Sequence, residues 1–452
     1  MLADRLGKAL AICAVLVAAC LVVPASAESR VRIVRLSDVQ GSVQIDRAAG
    51  NGFEKAFLNL PVIEGSRLKT GRDGRAEVEF EDGSALRIVP DTEIEFARLG
   101  LGDDGQKLNA VQLNAGIVYV NVRVKSGDQF TLNFGHQSVT VPEYAHFRVD
   151  LAAAEATLAV FKGKVNGNGP SGQFEVAEKH SATFDLANNN SFALAKNYEE
   201  DPNDNWDRQQ TEYHDRYLKN NTYDLTSPYG YGVSDLNYYG SYMNCPGYGF
   251  GWQPFLMGAN WSPFQDGAWA WYPGFGYMWV SGYPWGWMPY RYGNWAFAQG
   301  CGGWMWQPGY WNTWAAIPIV LHPPVRTPVP TPPIRGRQTI IVGRGLAANP
   351  AKPPTRLAIN PGSAGFGVPR GAVRHLDRVA KEADKGTRPV VVTTQSNAPG
   401  RTAPTAGAAG SRDSWHSGGR SGSSTGGSRD VGSWRSSPPH VSAPSPAPSK
   451  PH

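Results

Sequence analysis

Between residues 30 and 197, apolar and polar side chains alternate in short runs broken by Gly, Asp, Asn and Ser, the period of half-buried strands. Val31-Arg32-Ile33-Val34 leads to Gly41-Ser42-Val43-Gln44-Ile45 across a turn. Ala76-Glu77-Val78-Glu79-Phe80 places apolar groups on one face and carboxylates on the other. Glu81-Asp82-Gly83-Ser84 then predicts a hairpin turn before Ala85-Leu86-Arg87-Ile88-Val89 returns. Further strands are predicted at 117–124, 129–134, 138–141, 146–151, 157–161 and 164–165. No long 3.6-residue period interrupts them, which predicts an all-β domain. The period changes at 201–219. Asp201-Pro202 suits a helix start, Asp204 and Asp207 lie early, and Arg216 and Lys219 lie late. Trp206, Gln210, Tyr213 and Tyr217 share one face, which predicts a helix docked on a neighbouring domain.

From 222 to 317 periodicity gives way to composition. Residues 252–314 hold twelve of the fifteen tryptophans, set among Gly, Pro and Tyr. Tyr248-Gly249-Phe250-Gly251-Trp252-Gln253-Pro254 is echoed by Tyr283-Pro284-Trp285-Gly286-Trp287-Met288-Pro289. In Trp269-Ala270-Trp271, Trp285-Gly286-Trp287 and Trp304-Met305-Trp306, a strand would put both rings on one side. Residues this poor in helix formers predict short hairpins and irregular turns. Such rings form either a shared core or a stacking face. As a stacking face, Trp269, Trp285 and Trp304 are the ligand-binding candidates, with Asn294 among the amides able to meet hydroxyl groups.

The chain ends change the setting. Arg5 and Lys8 precede an apolar run from 9 to 23, and Ala25-Ser26-Ala27 offers a cleavage site, the pattern of a secretory signal peptide. Val17-Ala18-Ala19-Cys20 also resembles a lipoprotein processing box, and cleavage there would leave Cys20 lipid-bearing on the outer membrane. No later stretch is apolar for long enough to span a membrane as a helix. After cleavage only Cys245 and Cys301 remain, and an oxidising compartment favours their pairing. Residues 318–452 carry 18 Lys or Arg against 5 Asp or Glu, a net of +13, which leaves −8 for the rest. That tail is rich in Pro, Gly, Ser and Arg and gathers no core, so it reads as disordered and able to contact an anionic surface. Within it, 339–342 and 390–392 are isolated apolar pieces, and a brief helix fits 372–384.

Several chemistries are disfavoured. Between 225 and 317 the only acids are Asp235 and Asp266, with no histidine, whereas glycoside hydrolysis generally wants two carboxylates across the sugar. Arg291 is the sole cation from 222 to 317, so a single-stranded nucleic acid would find rings without charge, and no nucleic-acid partner is expected. His136 and His146 lack a third ligand at a telling spacing, and no metal or cofactor is expected. His214 and Asp215, neighbours on a helix, do not face one another as an acid–base pair.

The β segment resembles the FecR domain of bacterial envelope proteins. The resemblance is carried by Gly41-Ser42-Val43, Gly65-Ser66-Arg67-Leu68-Lys69-Thr70-Gly71 and the stretch from Ala76 through Asp82-Gly83-Ser84 to Pro90. It continues in Leu113-Asn114-Ala115-Gly116, Val139-Thr140-Val141-Pro142, Phe147-Arg148-Val149 and Phe161-Lys162-Gly163-Lys164-Val165. It implies a periplasmic β fold with a binding role and no catalytic residues. FecR-type signalling proteins also use a membrane helix and a cytoplasmic segment, neither of which is expected here. The aromatic stretch resembles an uncharacterised Trp- and Tyr-rich region that follows FecR-like domains. It shares Gly251-Trp252-Gln253-Pro254, Gly276-Tyr277-Met278-Trp279 and Pro284-Trp285-Gly286-Trp287, and departs from the pattern at Ser241 and Arg291.

The expected architecture is mainly β. It comprises a signal peptide (1–27), a FecR-like all-β domain (28–197), a helical connector (198–221), a Trp/Tyr/Gly-rich module of short hairpins (222–317) and a disordered tail (318–452). The expected function is non-enzymatic binding or scaffolding in the periplasm or outside the cell, with a glycan or an envelope protein as partner. One alternative is carbohydrate binding, to cell-wall glycan or exopolysaccharide, through exposed Trp and Tyr. The other is a FecR-like accessory role in envelope signalling.

Overall fold

A computed structural model describes residues 32–188, 190–219, 227–324, 331–346, 349–350, 352 and 354–394. The expected signal peptide, Cys20 and the tail beyond 394 lie outside the described residues. No helix among the described residues is long and apolar enough to cross a membrane.

The alternating region forms one continuous sheet of sixteen strands. Val34–Gln40 pairs with Arg75–Glu79, which turns through Asp82 and Gly83 into Ala85–Ile88. Two long strands, Lys107–Arg123 and Glu155–Gly169, link its two ladders. The first half of Lys107–Arg123 pairs with Glu93–Leu101 and, in parallel, with Gln129–Phe134. Its second half pairs antiparallel with Ala85–Ile88 and Tyr144–Leu151. Each long strand bends at a glycine that no other residue could easily replace. Gly116 has φ +84° and a Cβ there would lie 2.5 Å from the Asp91 carbonyl oxygen; Gly163 has φ +73° and its Cβ would lie 2.1 Å from that of Tyr144. The separate strands expected at 157–161 and 164–165 are thus one bent strand. Val118, Val120, Phe147, Val149, Leu158 and Val160 point inward and are fully buried.

The helix predicted at 201–219 spans Asp204–Lys219 (α1). Asp201 accepts from the Asn203 N–H at 2.7 Å, and Asp204 reaches back to the Asp201 N–H at 2.9 Å, a reciprocal cap. The predicted face is the docked one, since Trp206, Gln210, Tyr213 and Tyr217 are all buried.

The aromatic module contains two small sheets. One is built from Gly240–Cys245, Gly249–Pro254, Gly303–Gln307, Asn294–Ala298 and Val320–Leu321, the other from Gly276–Ser281, Gly267–Tyr272 and Ile340–Val342. A disulfide joins Cys245 to Cys301, with Cα atoms 6.1 Å apart and a sequence separation of 56. Two expectations need correction. The module contains a helix, Val233–Tyr239 (α2), whose burial overrides weak local propensity. Trp285-Gly286-Trp287 lies on a turn, with the Trp287 N–H donating to the Trp285 carbonyl at 2.9 Å, so those two rings are not neighbours on a strand.

Within the tail expected from 318, several pieces are ordered. Ile340–Val342 completes the edge of the three-stranded sheet, Arg356–Ile359 pairs with Val390–Thr393, and Leu376–Ala383 (α3) falls within the stretch expected to be helical. These pieces are too short to hold a core alone. They are ordered because strand edges and apolar surface of the preceding domains accept them.

Candidate binding site

Where the β domain, α1, α2 and the 369–370 segment meet, charged side chains close a ring. Glu77 faces Arg370; Arg370 Nη2 meets Asp235 Oδ2 at 3.0 Å; Asp235 Oδ2 meets Arg35 Nη2 at 2.7 Å. Arg35 Nη1 then meets Glu79 Oε2 at 2.9 Å, Glu79 Oε1 lies 3.3 Å from His214 Nδ1, and His214 Nε2 returns to Glu77 Oε1 at 3.0 Å. A branch runs from Glu77 Oε2 to Arg87 Nε at 2.8 Å, from Arg87 Nη1 to Asp207 Oδ1 at 2.6 Å, and from Asp207 Oδ2 to His146 Nε2 at 2.7 Å. Arg35 and Glu77 have no solvent-exposed surface.

Such burial would ordinarily raise a carboxyl group, yet the charges of His214, Arg370 and Arg87 hold Glu77 well below the usual carboxylate range. Asp235 is lowered against burial by Arg370 and Arg35, and Asp207 by Arg87 and His146. Asp38, at the rim of the ring, goes the other way because burial outweighs the attraction of Arg370. Glu77, Glu79 and His214 place possible metal-ligand atoms within 4.8 Å of one another. Arg35, Arg87 and Arg370 already pair with those two carboxylates, and their positive charge opposes a divalent cation there.

The sequence could not show this ring. Alternation placed Glu77 and Glu79 on one strand face, but that face meets α1 and α2 instead of water. His214 does not pair with Asp215; its partners are Glu77, Glu79 and the Ser234 hydroxyl. His146 is buried on Asp207, while His136 is exposed beside Asn190.

The candidates in the aromatic module lie in its core. Trp269 and Trp304 are 2% exposed, Trp285 is 0% and Asn294 is 5%. Trp285 lies within 4.8–6.0 Å, centroid to centroid, of Trp252, Tyr283, Trp261, Trp295 and Tyr290, and its N–H donates to the Ala364 carbonyl at 2.7 Å. Trp269 packs edge-on against Trp279, and Trp304 against Phe264 and Phe297. Asn294 donates to Gln307 Oε1 at 2.6 Å. Of the two alternatives, shared core or stacking face, these residues take the first: the rings contact each other because mutual packing removes more apolar area from water than a one-sided display would. Arg291 is buried there too, with its guanidinium 5.2 Å from the Trp287 ring centre and 4.9 Å from that of Trp314. Burial lowers it to about 10.

Beside the charged ring lies a cavity of about 230 Å³, bounded by the Val34–Gln40 and Arg75–Glu79 strands, α1, Asn349, Pro350, Lys352 and the 369–370 segment. Asp38, Arg75, Trp206, Gln210 and Arg370 line it. A wider, more open groove of about 650 Å³ crosses the strands around Asn166 and Phe174.

Two family models match parts of the chain. Residues 66–166 match FecR protein, and residues 233–325 match a family of unknown function, DUF6600. No curated protein sequence matches it. Two crystal structures of a candidate anti-sigma factor from Parabacteroides distasonis ATCC 8503 align at 16% identity and a TM-score of 0.27. One alignment covers 33% of this chain and 71% of that one, the other 36% and 79%, and at that score the likeness carries no argument.

Proposed function

We propose that the chain is a non-enzymatic binding and scaffold protein of the bacterial cell envelope, acting in the periplasm or outside the cell. The closed ring of buried charges carries this reading. It joins the FecR-like domain, the connecting helix, the aromatic module and the 370 segment through groups already committed to one another, leaving none poised for acid–base chemistry. The Cys245–Cys301 disulfide and the secretory pattern of the first 27 residues support an exported setting. The test is fractionation of cells producing the full chain, followed by incubation of the purified protein with peptidoglycan and exopolysaccharide. Recovery outside the cytoplasm, with no new reducing ends, is the expected result. Retention in the cytoplasm, or turnover abolished by Glu77→Gln, would overturn the proposal.

The glycan reading moves to the module's surface. Tyr310 is 66% exposed and adjoins half-buried Trp311, which offers one aromatic edge of the required kind. Co-sedimentation with exopolysaccharide that is lost in Tyr310→Ala would support it. Co-sedimentation unaffected by that change would reject Tyr310 as the contact.

A further inference from the structure

Three residues that line the cavity beside the charged ring each carry a polar atom that finds no partner in the protein. The Nε of Arg75, the Nε1 of Trp206 and the amide oxygen of Gln210 are all buried and unbonded. Trp206 is 7% exposed and Gln210 is 9%. Buried polar groups are nearly always satisfied, so three orphans on residues around one cavity mark a place where something else supplies the bonds. We propose that this cavity binds a small organic carboxylate that also carries a hydroxyl or ammonium donor. The assignment rests on reading the chain as a binding protein and gives that reading a specific site.

The charge pattern selects the carboxylate. Arg35, Arg87, Arg148 and Arg370 each meet a carboxylate within ion-pair distance, whereas Arg75 has only the Asn203 amide oxygen, at 2.9 Å from Nη2. Burial without a counter-charge lowers Arg75, the mark of a cation lacking its anion. Two N–H groups, on Arg75 and Trp206, suit the two oxygens of a carboxylate. Gln210 then needs a donor from the same ligand, which a neighbouring hydroxyl or ammonium supplies. Asp38 lines the cavity with both carboxylate oxygens already accepting, from Gln40 at 2.7 Å and Asn349 at 2.9 Å. Its proximity disfavours a dianion such as phosphate. The volume, about 230 Å³, is below the range of drug-sized pockets and holds one sugar ring or one amino acid. Trp206 takes part through its N–H edge, because its ring packs with Val89 and Tyr119 and carries the Arg75 guanidinium 5.7 Å from its centre.

Titration calorimetry on the full mature chain tests this with four probes: D-glucuronate, D-alanine, D-glucose and inorganic phosphate. At least one carboxylate probe is expected to bind one-to-one, about tenfold or more tighter than glucose and phosphate. Glucuronate binding would identify an acidic sugar as the source, and alanine binding an amino acid. Trp206→Phe keeps the ring and removes the N–H, and Gln210→Leu removes the acceptor; each is expected to weaken binding about tenfold. Gln210→Leu carries the test alone should Trp206→Phe fail to fold. Absence of binding by both carboxylates, equal binding of glucose, phosphate bound as tightly, or unchanged affinity in folded Gln210→Leu would each overturn the site. Such a failure in a protein still exported and catalytically inert would remove the cavity and leave the proposed function standing.

Discussion

Around Glu77, carboxylates alternate with Arg370, Arg35 and His214 in a closed ring of polar contacts; around Trp285, neutral aromatic rings pack on one another. Glu77 and Trp285 are themselves fully withdrawn from water, but the demands on the two groups differ. A buried charge is costly without its partner, so each member of the ring fixes where the next must be, and the ring orients the β domain against the aromatic module. An indole in a packed core gains chiefly from area, and area is tolerant. The core even leaves the N–H groups of Trp279 and Trp295 without partners. At order-of-magnitude level such an orphan costs about 1–3 kcal/mol, comparable to what burying one large apolar side chain contributes. The junction therefore sets geometry, and the module sets bulk stability.

The sharpest way to break this comparison is Trp285→Ala, which empties the centre of the module. A loss of about 3–5 kcal/mol is expected by denaturant titration, with the same offset from wild type at pH 7 and pH 4. Arg370→Ala should cost nearly as much at pH 7, about 3–4 kcal/mol, because Glu77 and Asp235 stay buried with a partner missing. Its cost should shrink in acid. Glu77, Asp235 and Asp207 are depressed in the folded chain, so the stability they contribute is present above the ordinary carboxylate range and is lost as pH falls through their lowered values. Asp38, which is raised, opposes this trend in part. A pH-independent deficit for Arg370→Ala would show that the ring is not electrostatic in origin. Replacing Cys245 and Cys301 together by serine should cost about 2–4 kcal/mol, given the 56-residue separation, and reducing agent should reproduce it in the wild-type protein. Asp201→Ala should cost only about 1 kcal/mol, the usual value of a helix N-cap, seen as a small shift in the melting curve.

Legibility divided along the same line. The strands expected at 117–124, 129–134, 138–141 and 146–151 could be read because alternation is written into neighbouring residues. The docked face of α1 could be read because Trp206, Gln210, Tyr213 and Tyr217 recur at helical spacing. Asp201 could be read because a cap acts on the next two or three residues. The ring could not be, since Arg370 meets Glu77 across 293 residues and His214 meets it across 137. Nor could Trp269, Trp285 and Trp304 be assigned to core or surface, because an indole has the same sequence signature in both places. The cavity was equally hidden: Trp206 and Gln210 looked like packing residues, and their unpaired atoms appear only once Arg75 and Asp38 stand opposite.

By itself the sequence determined the β class, the amphipathic helix, the pair of cysteines available to each other and the separation of charged from aromatic regions. Each of these depends on interactions over a few residues or on composition alone. Tertiary structure decided that the polar face of the Arg75–Glu79 strand would be buried, that Ile340–Val342 would find a sheet edge to complete, and that the indoles would face inward. Those outcomes depend on which distant surfaces meet, and burial then turns a charge that water would have screened into one that must find its partner.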